Sequence, residues 1–292
     1  MITSFWIWRA AIALAPLLPE AAARELGTKI GYLYSFVDRK RLGMAERHMG
    51  RVLGGGHDIR AAARAVFASY GRYWAELFWL RADRLDRVGQ HLTLVGGEYL
   101  AAAQQAGRGM ILAAPHLGNW EVGARALVER NIPVTVAAEA LSDRRVSDWF
   151  TATRRMLGMD VLLVMEGSNF ALALARRLKK GGAIALMSDR DLTRAGHHVR
   201  FFGEITTLPA GPALLAELTG APILPAAVYF RPGGGHRVVV RSPLEEIRSG
   251  SRTERLQMVT QQLAGALEAL VREAPTQWHL LQPNWPSDCS AL

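Results

Sequence analysis

Residues 109–130, GMILAAPHLGNWEVGARALVER, decide how this chain folds. Met110 to Ala114 form a short unbroken apolar run, the pattern of a strand covered on both faces of its sheet. Pro115 stops the run. Asn119, a favoured helix cap, then opens a helical pattern predicted over about 119–130. His116 therefore falls in a strand-to-helix turn at the carboxyl end of a strand, where open α/β sheets place their ligands.

The same texture repeats outward. Apolar runs at 92–96, 133–139, 161–165, 182–188, 199–203, 223–230 and 236–242 alternate with helical patterns at 144–157, 168–180, 209–219 and 252–273. Such alternation predicts an α/β fold with a mostly parallel central sheet flanked by helices. Residues 1–88 read as helical instead. Within 60–80, Ala62, Val66, Phe67, Tyr70, Tyr73, Trp74, Leu77 and Phe78 recur mostly at steps of three and four, giving one broad apolar face. Gly54-Gly55-Gly56 separates that helix from the one before it, and Gly233-Gly234-Gly235 reads as a hairpin-like turn. Neither triplet carries the Lys-Ser/Thr signature of a phosphate loop. The expected organisation is one domain, 1–292: a helical N-terminal portion (1–88), an α/β core (89–274), and a tail (275–292) predicted to run irregularly across the surface.

Thirty-five Lys+Arg against 26 Asp+Glu give a formal charge of +9, which points to an anionic partner. No basic stripe interleaved with aromatics and no reading helix is present, so a nucleic-acid partner is not expected. Cys289 is the only cysteine, which rules out an intramolecular disulfide and fits a reducing cytosolic location. Residues 2–19 are apolar and rich in aromatics, but Arg9 sits inside the stretch and Pro16 and Pro19 close it. That arrangement is wrong for a secretory signal and short of the roughly 20 residues a membrane span needs. It suits a helix lying in the headgroup region, or else a plain helix docked on the core. Asp38-Arg39-Lys40-Arg41 would favour an anionic membrane surface, or form a solvated helix face. Arg176, Arg177, Lys179 and Lys180 would suit phosphates, an acidic protein surface or anionic headgroups, and equally a solvated helix end.

Histidine is the natural base near neutral pH, and a carboxylate on its second ring nitrogen would fix its tautomer. Glu121, in the first helical turn, is a candidate for that role. The bland alternative is a satisfied structural histidine. Asn119 reads as a cap or a substrate contact, and Trp120 as core packing or a substrate contact. Asp189 and Asp191 flank Arg190, where strand alternation aims both carboxylates to one side. A GxSxG serine arrangement is absent. No metal site is expected, since adjacent His197 and His198 on a strand point to opposite faces.

PHLGNWE (115–121) resembles the H-x4-D/E motif of the lysophospholipid acyltransferase superfamily, in the branch containing the bacterial lipid A acyltransferases. Asp148-Trp149-Phe150 with Arg154-Arg155 resembles that branch's D-W segment and following Arg. Ser188-Asp189-Arg190-Asp191 resembles its later D-x-D element, and Glu166-Gly167-Ser168 its E-G-T/S block, here read as a helix cap. Over roughly 5–285 the likeness holds, and NWE, SDRDL, FFGE (201–204), LPAGPALLA (208–216) and WHLLQPNW (278–285) look most like the actinobacterial phosphatidylinositol mannoside acyltransferases. Many superfamily members carry Asp where this chain has Glu121, which makes Asp189 a rival to orient His116, and the sequence leaves both acids open.

The resemblance implies a glycerol-3-phosphate acyltransferase-like fold with an N-terminal helical membrane-docking portion. It implies transfer of a fatty acyl chain, palmitoyl, from acyl-CoA to a mannose hydroxyl of phosphatidylinositol mannoside, with no permanently bound cofactor. His116, Glu121 and Asp189 would be catalytic. Asn119, Trp120, Arg155, Arg190 and Asp191 would meet substrate, Arg155 pointing inward. The oxyanion would be met by backbone N–H groups at the helix start or by a cation such as Arg155. Partners would be anionic membrane lipids, the glycolipid acceptor and the acyl-CoA donor, at the cytoplasmic face of the plasma membrane, peripheral or monotopic. The alternatives are a lipid A precursor acylated from acyl carrier protein, and a non-catalytic lipid-binding relative.

Overall fold

A computed structural model describes residues 2–139, 143–164, 170–191 and 195–289; Glu166-Gly167-Ser168 lies outside them. The chain opens with α1 (Ile2–Leu14), α2 (Glu20–Tyr34), α3 (Arg39–Leu53), α4 (Ile59–Trp79) and α5 (Leu85–Gln90), helical as expected. Asp38 and Asp58 cap α3 and α4 by accepting from Arg41 and Ala61 N–H groups. α2 and α4 pack with their backbones nearly touching. Gly27 and Gly31 of α2 face Gly71 of α4, where an added Cβ would overlap the Gly27 carbonyl oxygen and lie 2.8 Å from the Gly31 Cα. Backbone on the far side leaves nothing that can yield. Gly71→Ala is therefore expected to lower unfolding stability by about 1–3 kcal/mol, the usual cost of overpacking; a denaturation midpoint equal to wild type would refute this account of the helix pair.

After β1 (Leu92–Val95) and α6 (Gly97–Gln105) come β2 (Met110–Ala114), α7 (Trp120–Gly123), α8 (Arg125–Val128), β3 (Val134–Glu139), α9 (Arg144–Met156), β4 (Met159–Val164), α10 (Phe170–Lys179) and β5 (Ala183–Met187). The chain continues through β6 (His197–Phe201), β7 (Glu204–Leu208), α11 (Gly211–Thr219), β8 (Ile223–Phe230), β9 (His236–Val240), α12 (Arg252–Glu273) and α13 (Pro286–Cys289). Seven strands form one sheet in the order β1-β9-β8-β2-β5-β3-β4, parallel throughout except where β8 and β9 run antiparallel. Every residue of β8 is buried, as a strand with helices on both faces must be. The glycine-rich 233–235 stretch does form the β8–β9 hairpin loop.

Two expectations change. The run at 199–203 is not a sheet strand: β6 pairs only with β7, in a separate antiparallel ribbon. Its two-residue loop, Phe202-Gly203, has φ of 48° and 82°, the left-handed pair that hairpin turns demand. The tail also departs from its predicted surface course. It is irregular, yet Trp278, Leu280, Leu281 and Trp285 are buried among residues of the sheet, α3 and α12, because two indoles and two leucines bury more apolar area than any local repeat announces.

Candidate active site

β2 and β5 are neighbours in register, Ala114 opposite Met187, and the Ser188 N–H donates to the Ala114 carbonyl at 2.8 Å. Two residues past each partner lie His116 and Asp189, so strand pairing alone sets them side by side despite a separation of 73 positions in the chain. His116 Nδ1 lies 2.7 Å from Asp189 Oδ1, and the His116 peptide N–H donates to Oδ2 at 3.0 Å. An ionised carboxylate only accepts, so Nδ1 carries the proton and Nε2 keeps its lone pair. Asp189 is fully buried while the imidazole is about a third exposed. Burial pushes the Asp189 carboxyl up, but the charge and hydrogen bonds of His116 and the Trp278 indole outweigh it and hold the carboxyl below its ordinary range.

The turn carrying His116 is built for close approach. Gly118 has φ of 61°, and a Cβ there would strike the Val228 carbonyl oxygen. Asn119 caps α7, its Oδ1 accepting from Val122 N–H at 3.4 Å, while its Nδ2 donates to Glu76 Oε2 at 2.9 Å. With no exposed surface, Asn119 is a buried cap and not a substrate contact. Peptide N–H groups of His116, Leu117 and Gly118 are all spent, on Asp189, Pro115 and Gln277 respectively. These three turn N–H groups are therefore already engaged, while the expected donors at the helix start lie one to three residues further on.

Glu121 does not touch His116. Its carboxylate is buried and takes two guanidinium nitrogens of Arg154, Nε at 2.9 Å and Nη2 at 2.6 Å. The inward arginine of α9 is Arg154, and Arg155 is exposed, which corrects its expected place at the substrate. Neighbouring helical residues project about 100° apart, so only one of two consecutive arginines can face the core.

His116 stands on the wall of a cavity of about 770 Å³, within the size range of ligand pockets. Tyr70, Tyr73, Trp74, Trp120 and Phe150 make much of it aromatic, and Arg154, Arg190 and Asp191 bring charge. Asp191 also fixes the next loop by accepting from the Gly196 N–H at 2.8 Å. Trp120 stacks on Tyr73 with ring centroids 4.3 Å apart and meets the His116 ring edge-on at 5.2 Å. From α1, Trp8 packs against Trp74, Phe78 and Trp149 and reaches the cavity wall. Trp6, Leu14 and Leu17 of the same N-terminal stretch are exposed. A second, smaller space of about 90 Å³ adjoins the first, bounded chiefly by aliphatic residues of β2, β3, β5, β8 and β9; the two share Trp120, Ala137, Arg154, Leu186 and Met187.

Several residues that sequence reading passed over support this site. Glu76, on the apolar face of α4, accepts from Asn119, from His236 Nε2 at 2.7 Å and from Arg72 Nε at 2.8 Å. Burial raises its carboxyl, yet His236, Arg72 and Asn119 together bring it down to about 2. His279 pairs with Ser69 Oγ at 2.8 Å, and its N–H donates to the His116 carbonyl at 2.7 Å. Burial, then the neighbouring His116, push its imidazole down to about 3, so it stays neutral. A lone Glu on an apolar helical stripe was the available signal for Glu76. Among the described residues no group of three or more His, Cys, Asp or Glu could hold a metal ion, and no helix is long and apolar enough to cross a membrane.

The family model for bacterial lipid A biosynthesis acyltransferases matches residues 1–287. A phosphatidylinositol mannoside acyltransferase of Mycolicibacterium smegmatis is 42% identical over 229 residues, 78% of this chain and 73% of that protein. One of Mycobacterium tuberculosis is 35% identical over 296 aligned positions, covering 98% of this chain and 89% of its own. A buried carboxylate holding a histidine on the wall of a largely aromatic cavity thus occurs in a chain that belongs to the bacterial lipid A biosynthesis acyltransferase family and is an acyltransferase.

Proposed function

We propose that this acyltransferase moves a fatty acyl chain, palmitoyl, from acyl-CoA to a mannose hydroxyl of phosphatidylinositol mannoside, with His116 as general base. The observation that carries the reading is the imidazole on the cavity wall with Nδ1 fixed by buried Asp189 and Nε2 left to take a proton. Nε2 removes the hydroxyl proton as the oxygen attacks the thioester carbonyl, forming the C–O bond. The tetrahedral intermediate collapses with loss of the C–S bond, and the imidazolium returns its proton to the departing thiolate. Arg190, on the same wall, serves as the side-chain cation for the oxyanion. The acyl chain lies along the aromatic wall of the larger cavity.

The acceptor assignment is supported by the names of the two relatives. The donor assignment is supported by the charge of +9, which suits the phosphates of coenzyme A and an anionic lipid surface. Exposed Trp6, Leu14 and Leu17 form the apolar contact of a peripheral attachment. Acyl-CoA as donor puts the reaction at the cytoplasmic face of the plasma membrane. Purified protein would be given acyl-CoA or acyl carrier protein as donor and phosphatidylinositol mannoside or a lipid A precursor as acceptor, with products read by mass spectrometry. Acylated mannoside from acyl-CoA is expected; acylation of the lipid A precursor alone would overturn the acceptor assignment.

A further inference from the structure

The C-terminal segment grips the catalytic turn residue by residue. Gln277 accepts from the Gly118 N–H at 2.9 Å, Trp278 bridges Leu117, and the His279 N–H donates to the His116 carbonyl at 2.7 Å. Trp278 goes further. Its indole N–H donates to Asp189 Oδ2 at 2.7 Å, the oxygen that also takes the His116 peptide N–H, while Oδ1 faces the imidazole. Asn284 adds a bond from Nδ2 to the Asp189 carbonyl at 3.1 Å. The far end of the segment is locked in turn. Asp288 is fully buried, accepts from the N–H groups of Asn284 and Trp285, and meets His48 and Arg51 of α3.

We propose that Trp278 is a positioning residue for the reaction: its indole N–H, held in place by the strap of residues 277–289, fixes the orientation and tempers the basicity of Asp189, and through it sets the proton affinity of the His116–Asp189 pair. The proposal rests on His116 being the general base. A buried indole N–H requires an acceptor, and here the acceptor is the charged group that orients the base. By drawing negative charge toward Oδ2, the indole weakens the carboxylate's hold on a proton at the imidazole. Removing it leaves a buried carboxylate oxygen with one donor fewer, free to turn away and more basic.

The sign follows. A more basic Asp189 makes the pair keep its proton to higher pH, so the acidic limb of kcat/KM moves upward. Trp278→Phe is expected to move that limb up by about half to one pH unit and to lower kcat by about tenfold, the usual effect of deleting a hydrogen bond to a charged group. Trp285→Phe is the control: it removes a similarly buried indole bond in the same strap, to the Phe201 carbonyl at 3.1 Å, without touching Asp189. It is expected to lower stability and leave the limb in place. A purely structural strap would make both variants less stable and move neither limb.

A second measurement needs neither a variant nor turnover. In the wild-type full chain, the Trp278 indole N–H resonance followed by NMR should shift with the same midpoint as the His116 imidazole. An indole signal that stays fixed through that titration overturns the proposal, as does a Trp278→Phe limb equal to wild type. If the signal moves but no glycolipid is acylated, the positioning holds and the proposed reaction is what fails.

Discussion

Replacing His116 with Gln is expected to lower kcat by about 10²- to 10⁴-fold, the span that a positioned general base contributes. Glutamine can occupy the turn and still donate to Asp189, so the hydrogen bonds from the His116 peptide N–H to Asp189 and from the His279 peptide N–H to the residue 116 carbonyl have no reason to break. What disappears is the lone pair on Nε2. The acceptor hydroxyl would then have to attack with its proton still on, or lose it to water. Asp189→Asn is expected to act in the same direction with the imidazole intact. An amide cannot balance the imidazolium that forms during attack, and it presents an N–H where Nδ1–H needs an acceptor. Initial rates of acyl transfer, taken beside a thermal unfolding curve for each protein, check this. A well-folded His116→Gln protein retaining a tenth or more of wild-type turnover would remove His116 from the role of base.

The strand–turn–helix around His116 was legible because its signals are local: five apolar residues, Pro115 as a stop and Asn119 as a cap. Which acid meets the imidazole was not. Spacing favours Glu121, five positions away, but Glu121 sits one helical step past Trp120, and with Trp120 facing His116 it points into the core. Asp189 becomes a neighbour only because β5 docks beside β2, a choice made by packing of the whole sheet. Arg154 and Arg155 raised the same problem at smaller scale, since helix phase depends on which face of α9 meets Glu121. Residues 278–285 carried family likeness but no period of two or 3.6, so nothing in the pattern told a buried strap from a surface tail. Trp278 was the residue to weigh: an indole in a tail is either exposed or in need of an acceptor, and the acceptor it found is Asp189.

Removing the Arg154 guanidinium should cost far more stability than any other single change on the cavity wall, about 3–5 kcal/mol for Arg154→Met. Glu121 is 3% exposed and its bidentate partner 19%, so solvent does little to screen the charge left behind. Methionine fills much of the space along Phe150 but offers the carboxylate no donor, and neighbouring Tyr73 is buried and already suffers from that negative charge, its phenol pushed well above its usual range by burial first and Glu121 second. The cost therefore comes from stranding an anion and not from lost packing, and this distinction can be measured. Glu121→Leu with Arg154→Met removes both charges together and is expected to recover most of the loss, because a paired buried ion is often no more stable than apolar groups of like volume. Arg155→Ala, one position along but exposed, should stay within about 0.5 kcal/mol of wild type. Urea unfolding of wild type, Glu121→Leu, Arg154→Met and the double variant gives the cycle, with Arg155→Ala as the control. A single Arg154→Met protein within 1 kcal/mol of wild type, or a double variant no better than the single, would mean that Glu121 is satisfied some other way. Should the cycle close as expected, the two acids at this site part company: Asp189 governs the rate through the imidazole, and Glu121 keeps α7 and α9 together between the two cavities.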